Sequence, residues 1–383
     1  MINSSSETSY RPVFFPGSHP RLWEKMHRFL EDMRRQLDQH GQDLRVAALA
    51  LAGGYGRGEG GVYMDEDGDA LLYNDVEFYL FTHGAASERL LRWVQNVEHA
   101  GRTGFGVPVE IKVLPVDWLF KAEPSMFLYD LVVGHRIVYG PADFLREEAL
   151  RPLHDSNRIP LHEATRLLFN RGSGLLFSAA KLSVIDSEWD AGFIERNHAK
   201  VKLALGDAVL VVNGLYDSSC RERNRRLTPR LLQKPPCWSE VQRLHAAGVG
   251  FKLHPRHEHS LPQHFRQTQG DLVRLWSEVF LWLESLRLGV RFADLSAYAQ
   301  YPGRLLPEFS AARNFSLRVR DTIRHRERLP YPFDHPRAVL QRALAAFLQP
   351  NDGTVDLAAG QKVLGVSEDA SFETYRRWWG RYN

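Results

Sequence analysis

Only two cysteines, Cys220 and Cys237, stand in 383 residues. That is too few for a disulfide framework, and no paired spacing suggests a thiolate metal site. A reducing compartment is the simplest reading. No run of about 18 apolar residues occurs, so no membrane-spanning helix is expected. The opening MINSSSETSYRPVFF lacks a basic segment followed by an apolar one, so no signal peptide is expected. The cytoplasm follows by elimination. Charge of one sign is scarce too: 49 Lys plus Arg against 46 Asp plus Glu leave +3, which excludes a uniformly basic nucleic-acid coat. No internal repeat or low-complexity segment is present. Hydrophobic residues at 44% and charged residues at 25% exclude a mainly disordered or fibrous chain. The length predicts two or three domains, at roughly 100–200 residues each.

Residues 1–19 are polar and turn-rich and read as an N-terminal arm. Over 20–40, Leu22, Met26, Phe29, Leu30 and Met33 recur at helical spacing. The apolar run LRVAALALAG (44–53) ends in glycines and reads as a buried strand. VEFYLFT (76–82) and PVEIKVLPV (108–116) are strand-like, with a helix between them at 87–101. Residues 126–139 read as a helix leading to a short edge strand. This order predicts a mixed α/β unit, a domain over 20–150. From about 155 the periodicity becomes helical, at 163–184, 195–214, 269–288 and 335–349. The expected fold class is therefore α+β: a mixed sheet with flanking helices, then an all-helical domain over 151–383. The KPPCW segment (234–238) suggests a division of that domain into two subdomains.

The small net charge conceals a sorting of signs. Between Gly53 and Phe81 there are seven acids and one base, Arg57; between Ser218 and Glu278 there are eleven bases and five acids. An acidic pole in the first third balances a basic helical region.

Three features coincide at that pole. Gly53-Gly54-Tyr55-Gly56-Arg57-Gly58-Glu59 follows a strand; glycines let a backbone turn sharply and bring N–H groups close to a phosphate. Asp75-Val76-Glu77 opens the next strand, where residues two apart share a face. Glu110 lies on a third strand that can neighbour the second. Three carboxylates beside a phosphate loop make a hard oxygen site of the kind Mg²⁺ or Mn²⁺ takes in phosphoryl displacement. Each feature alone is commonplace; their order and closeness in sequence give them meaning.

This constellation resembles the nucleotidyltransferase superfamily of DNA polymerase beta, and GGYGRGE is particularly similar to the loop of the bacterial PII-protein uridylyltransferases. The resemblance covers roughly 44–140. It implies a metal-dependent enzyme that transfers NMP from an NTP to a hydroxyl with release of pyrophosphate. Gly53 and Gly54, with Tyr55, would hold the nucleotide. Asp75 and Glu77 would bind the metals, and Glu110 would complete the metal site or act as general base. Arg57, and Lys200 and Lys202 in the helical half, would meet the triphosphate. One departure is the 21-position separation of Gly54 and Asp75, longer than the family usually shows. Asp65 and Asp67 fall nearer the usual spacing, but MDEDGDA runs into no strand. It reads as the tip of an inserted hairpin, and it lacks the distal Glu of a calcium loop.

A protein, a small molecule or a tRNA end all remain acceptor classes. The further domains of a full uridylyltransferase are not evident, which argues against PII itself. Two other classes of function stay open: a non-catalytic nucleotide-binding regulator, and an RNA-binding module using Arg221-Glu222-Arg223-Asn224-Arg225-Arg226. Among further motifs, Asp207 in an apolar helix reads as either cleft-facing or a satisfied core residue. The run His254–His259 reads as a polar loop, Gly172-Ser173-Gly174 as a close helix contact, and Trp276 and Trp282 as core aromatics.

Overall fold

An amphipathic helix is the first regular element of the described residues. In the computed structural model, which describes residues 12–182, 188–255, 262–325, 330–349 and 353–383, α1 spans Pro20–His40 and buries Leu22, Met26, Leu30, Met33 and Leu37. Each fully buried side chain of this kind contributes roughly 1.5–3 kcal/mol. Most of the arm over 1–19 and most of the His254–His259 run lie outside the described residues.

The chain then forms β1 (Val46–Leu51), a single glycine turn of helix α2 (Gly53–Gly56), β2 (Val62–Met64), β3 (Ala70–Leu72) and β4 (Val76–Thr82). Next come α3 (Glu88–Phe105), β5 (Val109–Pro115), α4 (Val116–Phe120), α5 (Met126–Val133) and β6 (Arg136–Tyr139). Four strands make one sheet in the order β5-β4-β1-β6. The β1–β4 and β1–β6 pairs are antiparallel, and the β4–β5 pair is parallel. A parallel neighbour needs a crossover, and α3 supplies it. Ser87 caps α3 by accepting from Leu90 N–H, and left-handed Gly106 ends it.

The sheet has two buried faces, as its near-continuous apolar strands require. Leu49, Leu51, Phe78, Leu80 and Ile111 face α1 and α3. Ala48, Ala50, Tyr79 and Phe81 face Leu119 of α4 and Leu128, Leu131 and Val132 of α5. β2 and β3 form the separate hairpin foreseen in the 65–69 region. Its turn is made by Asp65, whose carboxylate accepts from the N–H groups of Asp67 and Asp69 at 3.1 and 2.8 Å.

Helices occupy the remainder: α6 (Leu161–Leu182), α7 (Glu188–Val212), α8 (Cys220–Arg226), α9 (Trp238–Leu253), α10 (Pro262–Leu288), α11 (Leu295–Ala299), α12 (Ala311–His325), α13 (Pro336–Phe347), α14 (Leu357–Leu364) and α15 (Glu368–Tyr382). No strand follows β6 among the described residues. The fold is α+β. Two compact units emerge: one from residues up to Ile159 with Asp217–Glu222 and the stretch from Gly250, the other from Pro160–Tyr216, Arg223–Val249 and the later helices. In the second unit Gly172 lies against the Trp276 ring. Ser173 is buried and bonded to the Phe169 carbonyl and the Tyr375 hydroxyl, so this triplet is the close helix contact its sequence suggested. Trp276 is fully buried. No described helix is long and apolar enough to cross a membrane.

Candidate functional site

The glycine turn leaves β1 with an abrupt change of direction. Gly53 adopts φ +60°, and a methyl group there would lie 3.0 Å from Glu77 Oε2. Glycine is therefore required twice, by the dihedral and by the carboxylate seated against it. The Ala52 N–H donates to the Glu77 carbonyl at 2.9 Å, which fixes the turn to the start of β4. The N–H groups of Gly53 and Gly54 bond to no backbone carbonyl among the described residues.

Tyr55 and Glu59 hold this turn from within. The Tyr55 ring is fully buried, its hydroxyl donates to the Gly61 carbonyl at 3.0 Å and accepts from Asn74 N–H at 3.3 Å. A side chain on Gly60 would collide with that ring. Any part Tyr55 takes in nucleotide binding thus runs through its backbone and through the shape it gives the loop. Glu59 is buried as well. Its carboxylate accepts from the Ser219 hydroxyl at 2.7 Å and from the N–H groups of Cys220 at 2.8 Å and Arg221 at 3.3 Å. Burial alone would raise its pKa, but these donors outweigh burial and hold it below the usual carboxylate range. The sequence showed Glu59 only as one acid among seven; its tie to a segment 160 positions later has no local signal.

The acidic trio lies on one face of the sheet. Asp75 is exposed and immediately precedes β4, and Glu77 is half-buried two residues on. In the parallel β4–β5 ladder Glu77 pairs with Glu110, and Tyr79 with Lys112. Residues in register on adjacent strands project to the same side, so the structure brings Glu110 beside Glu77 as the sequence predicted. Burial, then the negative charge of Asp75, raises the Glu77 pKa; Lys112 and Arg57 oppose the shift, and Glu110 adds to it. The same carboxylates, after burial, push the Tyr79 hydroxyl upward.

Two cations border the trio. Lys112 Nζ lies 4.0 Å from Glu110 Oε2 and 5.7 Å from the Tyr79 ring centre. Arg57, whose side chain is 10% exposed, lies 3.9 Å from Asp130 of α5. The Arg57 Nε is buried without a hydrogen-bond partner among the described residues. Lys112 was absent from the sequence-derived site, although its i+2 spacing from Glu110 could have placed it there.

Among the described residues no three His, Cys, Asp or Glu side chains are gathered as a ready metal cage. The donor set nevertheless fits Mg²⁺ or Mn²⁺. Mg²⁺ is usually held by one or two carboxylates with the remaining oxygens from phosphate and water, and like-charge crowding at Glu77 is what a divalent cation would relieve.

Lys200, Lys202 and Asp207 fall in the second unit. Lys200 is exposed and Lys202 half-buried on α7. Asp207 is a buried ion-pair centre, with Arg223 Nε at 2.7 Å and His245 Nε2 at 3.1 Å. This is the satisfied-core alternative of its sequence reading. Within Arg221–Arg226, Arg223 engages Asp207 and Arg226 donates to the carbonyls of Leu215 and Tyr216.

No protein-family model matches the sequence, and no curated protein does. Among solved structures, the chain is similar to a nucleotidyltransferase-like protein from Exiguobacterium sibiricum, at 12% identity and a TM-score of 0.20, over 68% of this chain and 87% of that one. So distant a likeness carries no argument about chemistry, and it gives no support to a closer kinship with PII uridylyltransferases.

Proposed function

We propose that the first unit is a metal-dependent nucleotidyltransferase that moves NMP from an NTP to a hydroxyl, releasing pyrophosphate. One observation supports this most: the Gly53 turn packs against the Glu77 carboxylate, with Asp75 just before it in sequence and Glu110 in register. The turn read as the phosphate loop thus adjoins the carboxylates read as the metal site.

In this reading the N–H groups of Gly53 and Gly54 face the nucleotide phosphates. Asp75 and Glu77 hold Mg²⁺ or Mn²⁺, which when bound supplies charge neutralisation for the transferring phosphoryl group. Glu110 accepts the proton of the attacking hydroxyl or helps hold the cation. Arg57, with its unbonded Nε, and Lys112 receive negative charge from the phosphates; Lys200 and Lys202 are further candidates. The acceptor is a protein, a small molecule or a tRNA end, and the cytoplasm is the proposed location.

Incubation with each of the four labelled NTPs, Mg²⁺ or Mn²⁺ and acceptors of these classes should release pyrophosphate. Transfer at the wild-type rate by an Asp75→Ala, Glu77→Ala double variant would falsify the assignment. A second reading, a non-catalytic nucleotide binder, draws on the 4.0 Å approach of Lys112 to Glu110, in which a lysine takes the place of a cation. Calorimetry distinguishes the two: tight nucleotide binding without Mg²⁺ and without turnover favours the second.

A further inference from the structure

A surface helix normally turns its apolar stripe inward and its polar face to water. α12 does the reverse. Asn314, Arg318 and Asp321 are its buried residues. Asn314 donates to the Phe333 carbonyl at 3.1 Å, Arg318 to the carbonyls of Pro330, Tyr331 and Asp334, and Asp321 accepts from the Tyr382 hydroxyl at 2.9 Å. The apolar residues Phe315, Val319 and Ile323 face outward, Ile323 at 76% exposure. They are four positions apart, so they form one stripe about 12 Å long. Phe333, 59% exposed, stacks on Phe315 at 5.6 Å and widens it.

Helical geometry puts Arg313, Arg320 and Arg324 together along one edge of that stripe. All three are exposed, and no acid shares the outward face of α12. Asp321, buried, lies 3.9 Å from Arg320.

We propose that this face of α12 docks an amphipathic helix of a protein partner, apolar along its centre and acidic along one edge. The inference is independent of the chemistry assigned to the first unit. Three apolar side chains at i, i+4 and i+8 match the knobs of a two- to three-turn helix laid alongside, and the single arginine edge sets the required charge of its partner. A second copy of this chain fits poorly, since antiparallel pairing of two stripes would set the arginine rows side by side. A helix lying on an anionic membrane surface presents a broad polar face rich in Lys and Arg opposite its apolar face, whereas the opposite face of α12, with Asn314, Arg318 and Asp321, is buried. Single-stranded RNA is bound by successive aromatic platforms along a basic groove, whereas the two aromatic rings here stack on one another at 5.6 Å.

The test uses the full chain and a fluorescent amphipathic peptide of about 15 residues, with leucines on one stripe and glutamates on one edge. A twin carries lysines in their place. Anisotropy should give a roughly micromolar Kd for the glutamate peptide, weakening as salt rises, and binding of the lysine twin about tenfold or more weaker. Ile323→Ser should weaken the glutamate peptide about tenfold; Val319→Ser serves equally, and thermal melts confirm that both fold. Arg320→Glu with Arg324→Glu should reverse the preference between the twins. Failure of the glutamate peptide to bind, equal binding of the twins, or indifference to Ile323→Ser overturns the proposal. So does loss of phosphatidylserine-vesicle or RNA binding in these variants with peptide binding intact.

Discussion

The carboxylates of the two units are treated in opposite ways. In the helical unit Glu284 is fully buried, yet it accepts from Thr165 Oγ1 at 2.5 Å, Tyr298 Oη at 2.9 Å and Arg287 Nη2 at 2.7 Å. Asp207 has Arg223 and His245. In the sheet unit burial, then the negative charge of Asp75, raises the Glu77 pKa; Glu110 adds to the shift, and Lys112 and Arg57 do not cancel it. A buried charge that is paired and hydrogen-bonded is a structural part; removing its partner leaves an uncompensated charge. Like charges held together against their repulsion lower stability, and folds keep such arrangements where chemistry uses them.

Neutralising carboxylates of each kind separates the two arrangements most sharply. Asp75→Ala with Glu77→Ala should lower nucleotidyl transfer by more than about 10³-fold, while the melting temperature holds or rises. Pyrophosphate release and calorimetric melting read the two effects on one sample. Glu284→Ala should do the opposite: a loss of about 3–5 kcal/mol in denaturant unfolding, since Arg287, Thr165 and Tyr298 would all lose their acceptor. Equal destabilisation by both changes would erase the distinction.

How far the sequence foretold this contrast differs between the units. A continuous apolar run closed by glycines located β1, strand-like runs rich in aromatic and β-branched residues located β4 and β5, and a strand reading of DVEFYLF over MDEDGDA identified Asp75 and Glu77 as the pair at the start of β4. The alignment of Glu110 with Glu77 needed only a parallel crossover through α3. Long-range ties were not legible. Nothing near Glu59 announces Ser219 and Cys220, and nothing near Asp207 announces Arg223 and His245, because a hydrogen bond across many positions leaves no periodic trace. Helices α9, α14 and α15 were passed over because their apolar residues are interrupted by Gly, Ser and charge. α12 has no counterpart in the sequence reading although Phe315, Val319 and Ile323 recur at helical spacing, and no sequence pattern announces that this apolar side faces outward.

Glu59 lies between the two kinds, a buried structural acid inside the candidate site. Its folded pKa is depressed, so the unfolded chain binds more protons as pH falls below the reference value of 4.5. The stabilisation is present above that value and lost as pH drops through the folded pKa. Glu59→Gln should cost about 1–3 kcal/mol at neutral pH and flatten the acid limb of stability. A series of urea melts from neutral to acid pH checks both; an unchanged acid limb would mean that Glu59 contributes nothing there.

The smallest effect expected is the pH response of Glu77, and it has the opposite sign. Its folded pKa lies above the reference value of 4.5, so between the two values the native state binds more protons than the unfolded one. Stability therefore falls slightly as pH rises through that window, while the carboxylate form, the one able to hold a cation, fills. Mg²⁺-dependent nucleotide binding should strengthen with rising pH just where stability slackens, and Glu77→Gln should abolish both trends. Calorimetric titration of Mg²⁺ with a non-hydrolysable NTP across that range measures the first, and urea melts the second. The two trends moving together in wild-type protein would remove the case for a carboxylate kept crowded for the sake of a cation.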